Sequence, residues 1–135
     1  MSTYAIRPGK PVLFAKFKNK EKAFFGLPGN PISSAACFKF CVDPYLRSIL
    51  NMKKEKPFKA KLKNSYEKKK NFTKFLKGKV SSNNKGILEV EVLKGQESFR
   101  IKSFTKANTW CLFKSEKSTF KKGDLIECFN LLGGQ

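Results

Sequence analysis

Residues 26–31 read Gly-Leu-Pro-Gly-Asn-Pro, and an apolar stretch follows to about Leu50. Two prolines and two glycines so close together break regular structure. At the end of the run, Asn30 is a favoured N-cap and Pro31 a favoured first helical residue. The segment therefore predicts a rigid turn opening a helix from Pro31 to near Leu50. A kink is expected at Asp43-Pro44, because Pro44 lacks a backbone donor and crowds the preceding turn. Upstream, the apolar runs Val12 to Phe17 and Ala23 to Leu27 flank the charged loop Lys18-Asn19-Lys20-Glu21-Lys22, as in a hairpin. Before them, Tyr4 to Ile6 reads as extended, and Arg7-Pro8-Gly9-Lys10-Pro11 is a second stiff turn.

The pattern changes at Asn51 to Pro57, a polar, charged stretch closed by proline. Residues 53–57 are expected to link two parts, 1–52 with α/β character and 58–135 mainly β. In the second part Phe58, Ala60 and Leu62 alternate with lysines, and Leu88, Val90 and Val92 are spaced two apart. Trp110 to Phe113 and Leu125 to Phe129 are further strand candidates, the last entered through a Gly123-Asp124 turn. Ser98 to Lys106 reads as a short helix, capped by Ser98 and facing inward through Ile101 and Phe104. The fold class is α+β.

Composition narrows the chemistry. The 135 residues contain no His, which removes Ser-His-Asp and Cys-His catalysis and any imidazole base or metal ligand. With 40% hydrophobic residues and 14 Phe the chain is too apolar for disorder. It has neither a run suited to a membrane helix nor the order of a secretory signal at Met1 to Tyr4. A cytoplasmic protein without membrane contact is expected. Cys37, Cys41, Cys111 and Cys128 form no CxxC pair and read as buried free thiols. The net charge of +19 attracts polyanions in general. Only Arg7, Arg47 and Arg100 are arginine, however, and a dedicated nucleic-acid binder usually carries more guanidinium. A basic nucleic-acid-binding module is thus a competing reading of lower rank, with Phe72 to Phe75 and Phe99-Arg100 as its loose candidates.

A helix N-terminus reached through a glycine- and proline-rich loop favours an anion, and Ser33 in the first turn adds a hydroxyl. Arg7 and Lys10, held around the other Pro-Gly turn, would add cations. Ala5-Ile6-Arg7-Pro8-Gly9-Lys10-Pro11, then Phe25-Gly26-Leu27-Pro28-Gly29-Asn30-Pro31-Ile32-Ser33, then Asp43-Pro44-Tyr45-Leu46 resemble the molybdopterin molybdenumtransferase family, which includes bacterial MoeA and the gephyrin E domain. The resemblance continues through Asn71 to Lys74, Gln96 to Ser98, Ala107-Asn108 and Lys122 to Asp124.

The resemblance implies a carboxyl-terminal fragment. Residues 1–52 would be the end of the α/β molybdopterin-binding domain, present as hairpin plus helix. Residues 58–135 would be a small, mostly β domain like MoeA domain IV. The full-length transferase would insert molybdate into adenylylated molybdopterin and release AMP, with Mg2+ held by acidic residues upstream of this chain. It would work as a homodimer, and the fragment alone would be inactive. A non-catalytic interaction domain of the same fold is the other alternative. By resemblance, Arg7, Lys10, Ser33, Lys74 and Ser98 would surround molybdate. Pro11, Gly26, Pro28, Gly29, Asn30 and Pro31 would form the molybdopterin-binding loop. Lys74 stands where the family usually has arginine and lacks its bidentate fork. Glu97 stands where glycine is usual, which sets a carboxylate beside Ser98.

Overall fold

A computed structural model describes residues 6–7, 12–19, 21–97 and 100–131. Its main sheet runs in the order β1 (Ile6–Arg7), β6 (Thr73–Ser82), β7 (Leu88–Val92), β4 (Phe58–Leu62), β10 (Leu125–Asn130) and β8 (Thr109–Phe113), and β6 also pairs with β8. Five strands therefore close on themselves: β6, β7, β4, β10 and β8. All these pairings are antiparallel except β4 with β7. β1 (Ile6–Arg7) is laid on β6 in parallel, outside the closed ring. Two short strands, β5 (Tyr66–Glu67) and β9 (Thr119–Phe120), pair beside it.

Alternation along the strands separates inside from outside. Ala60, Leu62, Leu76, Val90, Cys111, Phe113, Ile126 and Cys128 fill the barrel, and Phe120 joins them. Phe75 and Trp110, each one residue away from an inward neighbour, pack outside against Ile32 and Ala36. The first helix, α1 (Pro31–Cys37), is thereby seated on the barrel wall. Phe40 completes that contact, stacked on Phe75 with ring centroids 3.5 Å apart and set edge-on to Phe129 at 5.3 Å.

The expected hairpin forms from β2 (Leu13–Lys16) and β3 (Ala23–Gly26). Leu13 and Gly26 are register partners, and a Cβ at Gly26 would sit 3.1 Å from that of Leu13. Phe14 and Phe25 carry the packing onward to Tyr45, at 6.0 and 5.4 Å.

The helix starts at Pro31 as its cap predicts, but its irregularity precedes the proline expected to cause it. Residues Phe38–Val42 form a π-helical turn, and Asp43 donates its N–H to the carbonyl of Phe38. Helix α2 (Asp43–Ile49) then begins with Pro44 in its first turn, where a missing donor costs little. Arg47 Nε donates to Asp43 Oδ2 at 2.8 Å, and Arg47 also donates to the Lys53 carbonyl at 3.0 Å. Lys39, buried on the π turn, pairs with Glu55. Glu55 also accepts from the Asn130 N–H at 3.2 Å. The polar stretch after the helix is thus tied to both the helix and β10.

The last helix needs correction. α3 (Ile101–Lys106) begins after Arg100, whose side chain makes no capping bond, and Ser98 lies outside the described residues. Ile101 is exposed and Ser103 is buried. The reason is polar: Ser103 Oγ shares its one proton between the Gly95 and Arg100 carbonyls, at 2.6 and 2.9 Å, so a hydroxyl takes the place expected of Ile101 in seating this helix. Phe104 does pack inward, 5.8 Å from Trp110.

All four cysteines are free thiols. Burial first, and the neighbouring Cys41 second, push the Cys37 thiol up to about 11. A hydrogen bond with Cys128, together with burial, holds Cys111 protonated. At pH 8 iodoacetamide should therefore alkylate Cys37 about a hundredfold more slowly in the native chain than in urea, since the thiolate is the nucleophile. Its native rate should keep rising up to about pH 11. Equal native and denatured rates, read by mass spectrometry, would contradict this burial.

Candidate anion-binding site

The turn before α1 is built around one amide. Asn30 Oδ1 accepts the N–H groups of Ile32 and Ser33, at 3.1 and 3.3 Å, while its carbonyl accepts from Ser34 at 2.8 Å. A cap of this kind contributes about 1 kcal/mol. It also takes up two donors that an anion would otherwise use. Ser33 is buried in the first helical turn. Pro28 is half-buried, Pro31 exposed, and Gly29 would meet nothing within 4 Å if it carried a Cβ. Lys10, Pro11 and Ser98 lie outside the described residues.

The barrel brings two of the sequence candidates together. Through the parallel β1–β6 pairing Arg7 is the register partner of Lys74, with Ile6 opposite Thr73. Across its other edge Lys74 is partnered by Phe113 of the barrel interior. Lys74, half-buried, thus stands at the mouth of the barrel. Lys68 joins the same end from the loop after β5. It is buried, donates to the Lys69 carbonyl at 3.4 Å and lies 5.9 Å from the centre of the Phe120 ring. Burial, then the charge of Lys74, hold its pKa below the ordinary lysine value, with Glu116 opposing. Like charges gathered in this way favour an anion that separates them. Lys68 carried no sequence signal: within Lys68-Lys69-Lys70 nothing distinguishes the buried member.

Further along β6 the backbone of Lys77 is engaged by a side chain as well as by the Leu93 N–H, which donates to its carbonyl at 3.0 Å. Gln96 Oε1 accepts the Lys77 N–H at 2.9 Å, and Gln96 Nε2 donates to the Lys77 carbonyl at 2.8 Å. The same amide nitrogen donates to the Leu93 carbonyl at 2.6 Å. Gln96 thereby fixes the loop leading to residue 98. The Lys77 side chain is 1% exposed, and its ammonium donates to the Gly95 carbonyl at 2.7 Å and to Ser103 Oγ at 2.6 Å. Burial lowers its pKa, partly offset by Glu97. Neither Gln96 nor Lys77 was a predicted site residue. A lysine in a strand reads as surface, and only the loop packed over it shows otherwise.

Among the described residues no three His, Cys, Asp or Glu side chains gather, so the donors present do not fit a divalent cation. No helix among the described residues is long and apolar enough to cross a membrane.

A small, mostly β domain with few helices, its barrel mouth lined by cations, is the class that these features define. The chain belongs to the family described as the MoeA C-terminal region (domain IV), which matches residues 59–131. It is 33% identical, over 96% of its length, to a protein of Haemophilus influenzae named molybdopterin molybdenumtransferase, and spans 33% of that protein. A Synechocystis protein of the same name is 29% identical over 93% of the chain, which spans 29% of it. The chain thus spans about a third of the length of the curated relatives it matches. A MoeA crystal structure from Pyrococcus horikoshii superposes with a TM-score of 0.73 at 20% identity, covering 95% of this chain and 31% of the other. That likeness supports the fold.

Proposed function

We propose that this chain is the carboxyl-terminal part of a molybdopterin molybdenumtransferase. Joined to the rest of the enzyme, it takes part in inserting molybdate into adenylylated molybdopterin, with release of AMP. The single observation that carries the reading is the β1–β6 register, which sets Arg7 opposite Lys74. Those are positions that the resemblance assigns to molybdate from two separate stretches of sequence. The relatives' name, molybdopterin molybdenumtransferase, is consistent with it.

In this reading residues 1–52 end the molybdopterin-binding domain, 53–57 form the linker and 58–135 form the terminal β domain. The ammonium of Lys74 and the guanidinium of Arg7 hold the molybdate dianion, and Lys10, Ser33 and Ser98 complete its surroundings. The loop of Pro11, Gly26, Pro28, Gly29, Asn30 and Pro31 faces the pterin substrate. Preorganised charges of this sort stabilise an oxyanion without reorganisation during the reaction. The full-length enzyme is a cytoplasmic homodimer whose Mg2+ ligands lie outside this chain.

Replacing Lys74 by Met in the full-length enzyme should raise the half-saturating molybdate concentration at least about tenfold, since charge-assisted hydrogen bonds contribute about 1.5–3 kcal/mol. Thermal stability should change little, because Lys74 is only half-buried. Cofactor synthesis measured against molybdate concentration tests this, and an unchanged curve would remove Lys74 from the site.

A further inference from the structure

A second group of cations lies away from the barrel mouth, in a cleft of about 340 Å³ between the end of β7 and α3. We propose that this cleft binds a small, multiply charged anion of the phosphate class. Lys94, Arg100, Lys102 and Lys106 line it, against Glu91 as the acidic lining residue. Lys102 and Lys106 are one helical turn apart on α3 and share a face of it. Among the described residues Lys94, Lys102 and Lys106 form no ion pair. Arg100 pairs with Glu97 at 3.4 Å.

What distinguishes this cleft from other lysine-rich surface is its back wall. Gly95 and Ser103 line the cleft, and both accept hydrogen bonds from the buried Lys77 ammonium. The oxygens that this ammonium reaches are carbonyls and a hydroxyl, all neutral. The carboxylate that acts on this ammonium, that of Glu97, is itself paired with Arg100, so the buried cation still adds a positive field to the space in front of it. Leu93 and the aliphatic stems of the lysines add an apolar wall, so the cleft suits an anion carried on a compact body. A cleft of this volume, bounded by one short helix and one loop, is matched to a small ligand. None of the residues lining this cleft is among those assigned to molybdate.

Calorimetric titration of the full 135-residue chain with inorganic pyrophosphate at 150 mM salt is the test. Saturable binding of one ligand per chain is expected. The charge-reversed variant Lys102→Glu/Lys106→Glu should bind at least tenfold more weakly. Lys18→Glu/Lys22→Glu, with the same change of net charge on the β2–β3 hairpin loop, should bind within twofold of the native chain. Equal weakening in both variants would reduce the effect to diffuse attraction by the basic surface and overturn the proposal. So would the absence of saturable binding by the native chain. Should the α3 variant fail to fold by circular dichroism, Lys94→Glu, placed outside regular structure, takes its place; native affinity in that variant would also overturn the site.

Discussion

Trp110→Ala should lower the unfolding free energy by about 4 kcal/mol, the range of aromatic truncation in a packed core. The indole is fully buried on the outer face of β8, in contact with the helix that carries the PGNP turn. Phe40 and Phe104 meet it at 6.1 and 5.8 Å, and its Nε1 donates to the Leu131 carbonyl at 3.2 Å. Truncation removes the transfer energy of the ring, opens a cavity between helix and barrel, and leaves a carbonyl without its donor. Against a total stability typically of about 5–15 kcal/mol, that loss is severe. Urea denaturation with an unchanged m-value is the measurement. A loss below about 1 kcal/mol would show that α1 does not rest on the barrel wall through this ring.

Gly78→Ala should cost about 3 kcal/mol, at the upper end for overpacking. Gly78 lies mid-strand on the inward face of β6, level with Thr109 of β8 and Val92 of β7. A Cβ there would stand 2.4 Å from Cys111 Sγ, 3.1 Å from Val90 Cγ2 and 3.2 Å from Thr109 Cγ2. Cys111 is fully buried, so its sulfur can turn aside only into packed neighbours or by shifting β8. Cys111→Ala removes that atom, so the double variant Gly78→Ala/Cys111→Ala should be more stable than the sum of its singles predicts, by at least about 1 kcal/mol. Neighbours that share a packing defect couple in this way. Strict additivity in the four-variant cycle would refute the clash.

These two residues also show why part of the fold was hidden. The hairpin, the cap at Asn30 and the strands around Ala60, Val90, Cys111 and Ile126 were legible, because period-two alternation or punctuation marked each of them. β6 was not, although it is the longest strand and touches β1, β7 and β8. Its sequence, Thr-Lys-Phe-Leu-Lys-Gly-Lys-Val-Ser-Ser, sets a buried lysine next to a buried glycine at its centre. Both residue types argue against a central strand when read alone. Tertiary partners reverse that reading: loop carbonyls and Ser103 receive the Lys77 ammonium, and Cys111 fills the volume that Gly78 leaves.

The site divides in the same way. The PGNP motif stood out in the sequence and Lys74 entered only through the resemblance, whereas the burial of Lys68 and Lys77 and the anchoring of Gln96 became visible only once β6 and its loops were in place. Likewise, no periodicity could foretell that a serine would seat α3, since its acceptors come from a loop and from the residue just before the helix.

The ring of strands has a consequence for how the protein is made. β4 has β7 on one side and β10 on the other, and β10 in turn bridges β4 to β8. β10, the last strand in chain order among the described residues, is a stave in the middle of the wall rather than an addition at its rim. While the ribosome has yet to release it, β4 and β8 each lack a neighbour and expose a row of unpaired amides and carbonyls. Closure must therefore wait until Leu125–Asn130 have left the exit tunnel. A nascent chain stalled before that point carries two open edges, and is exposed to mispairing that the finished molecule escapes.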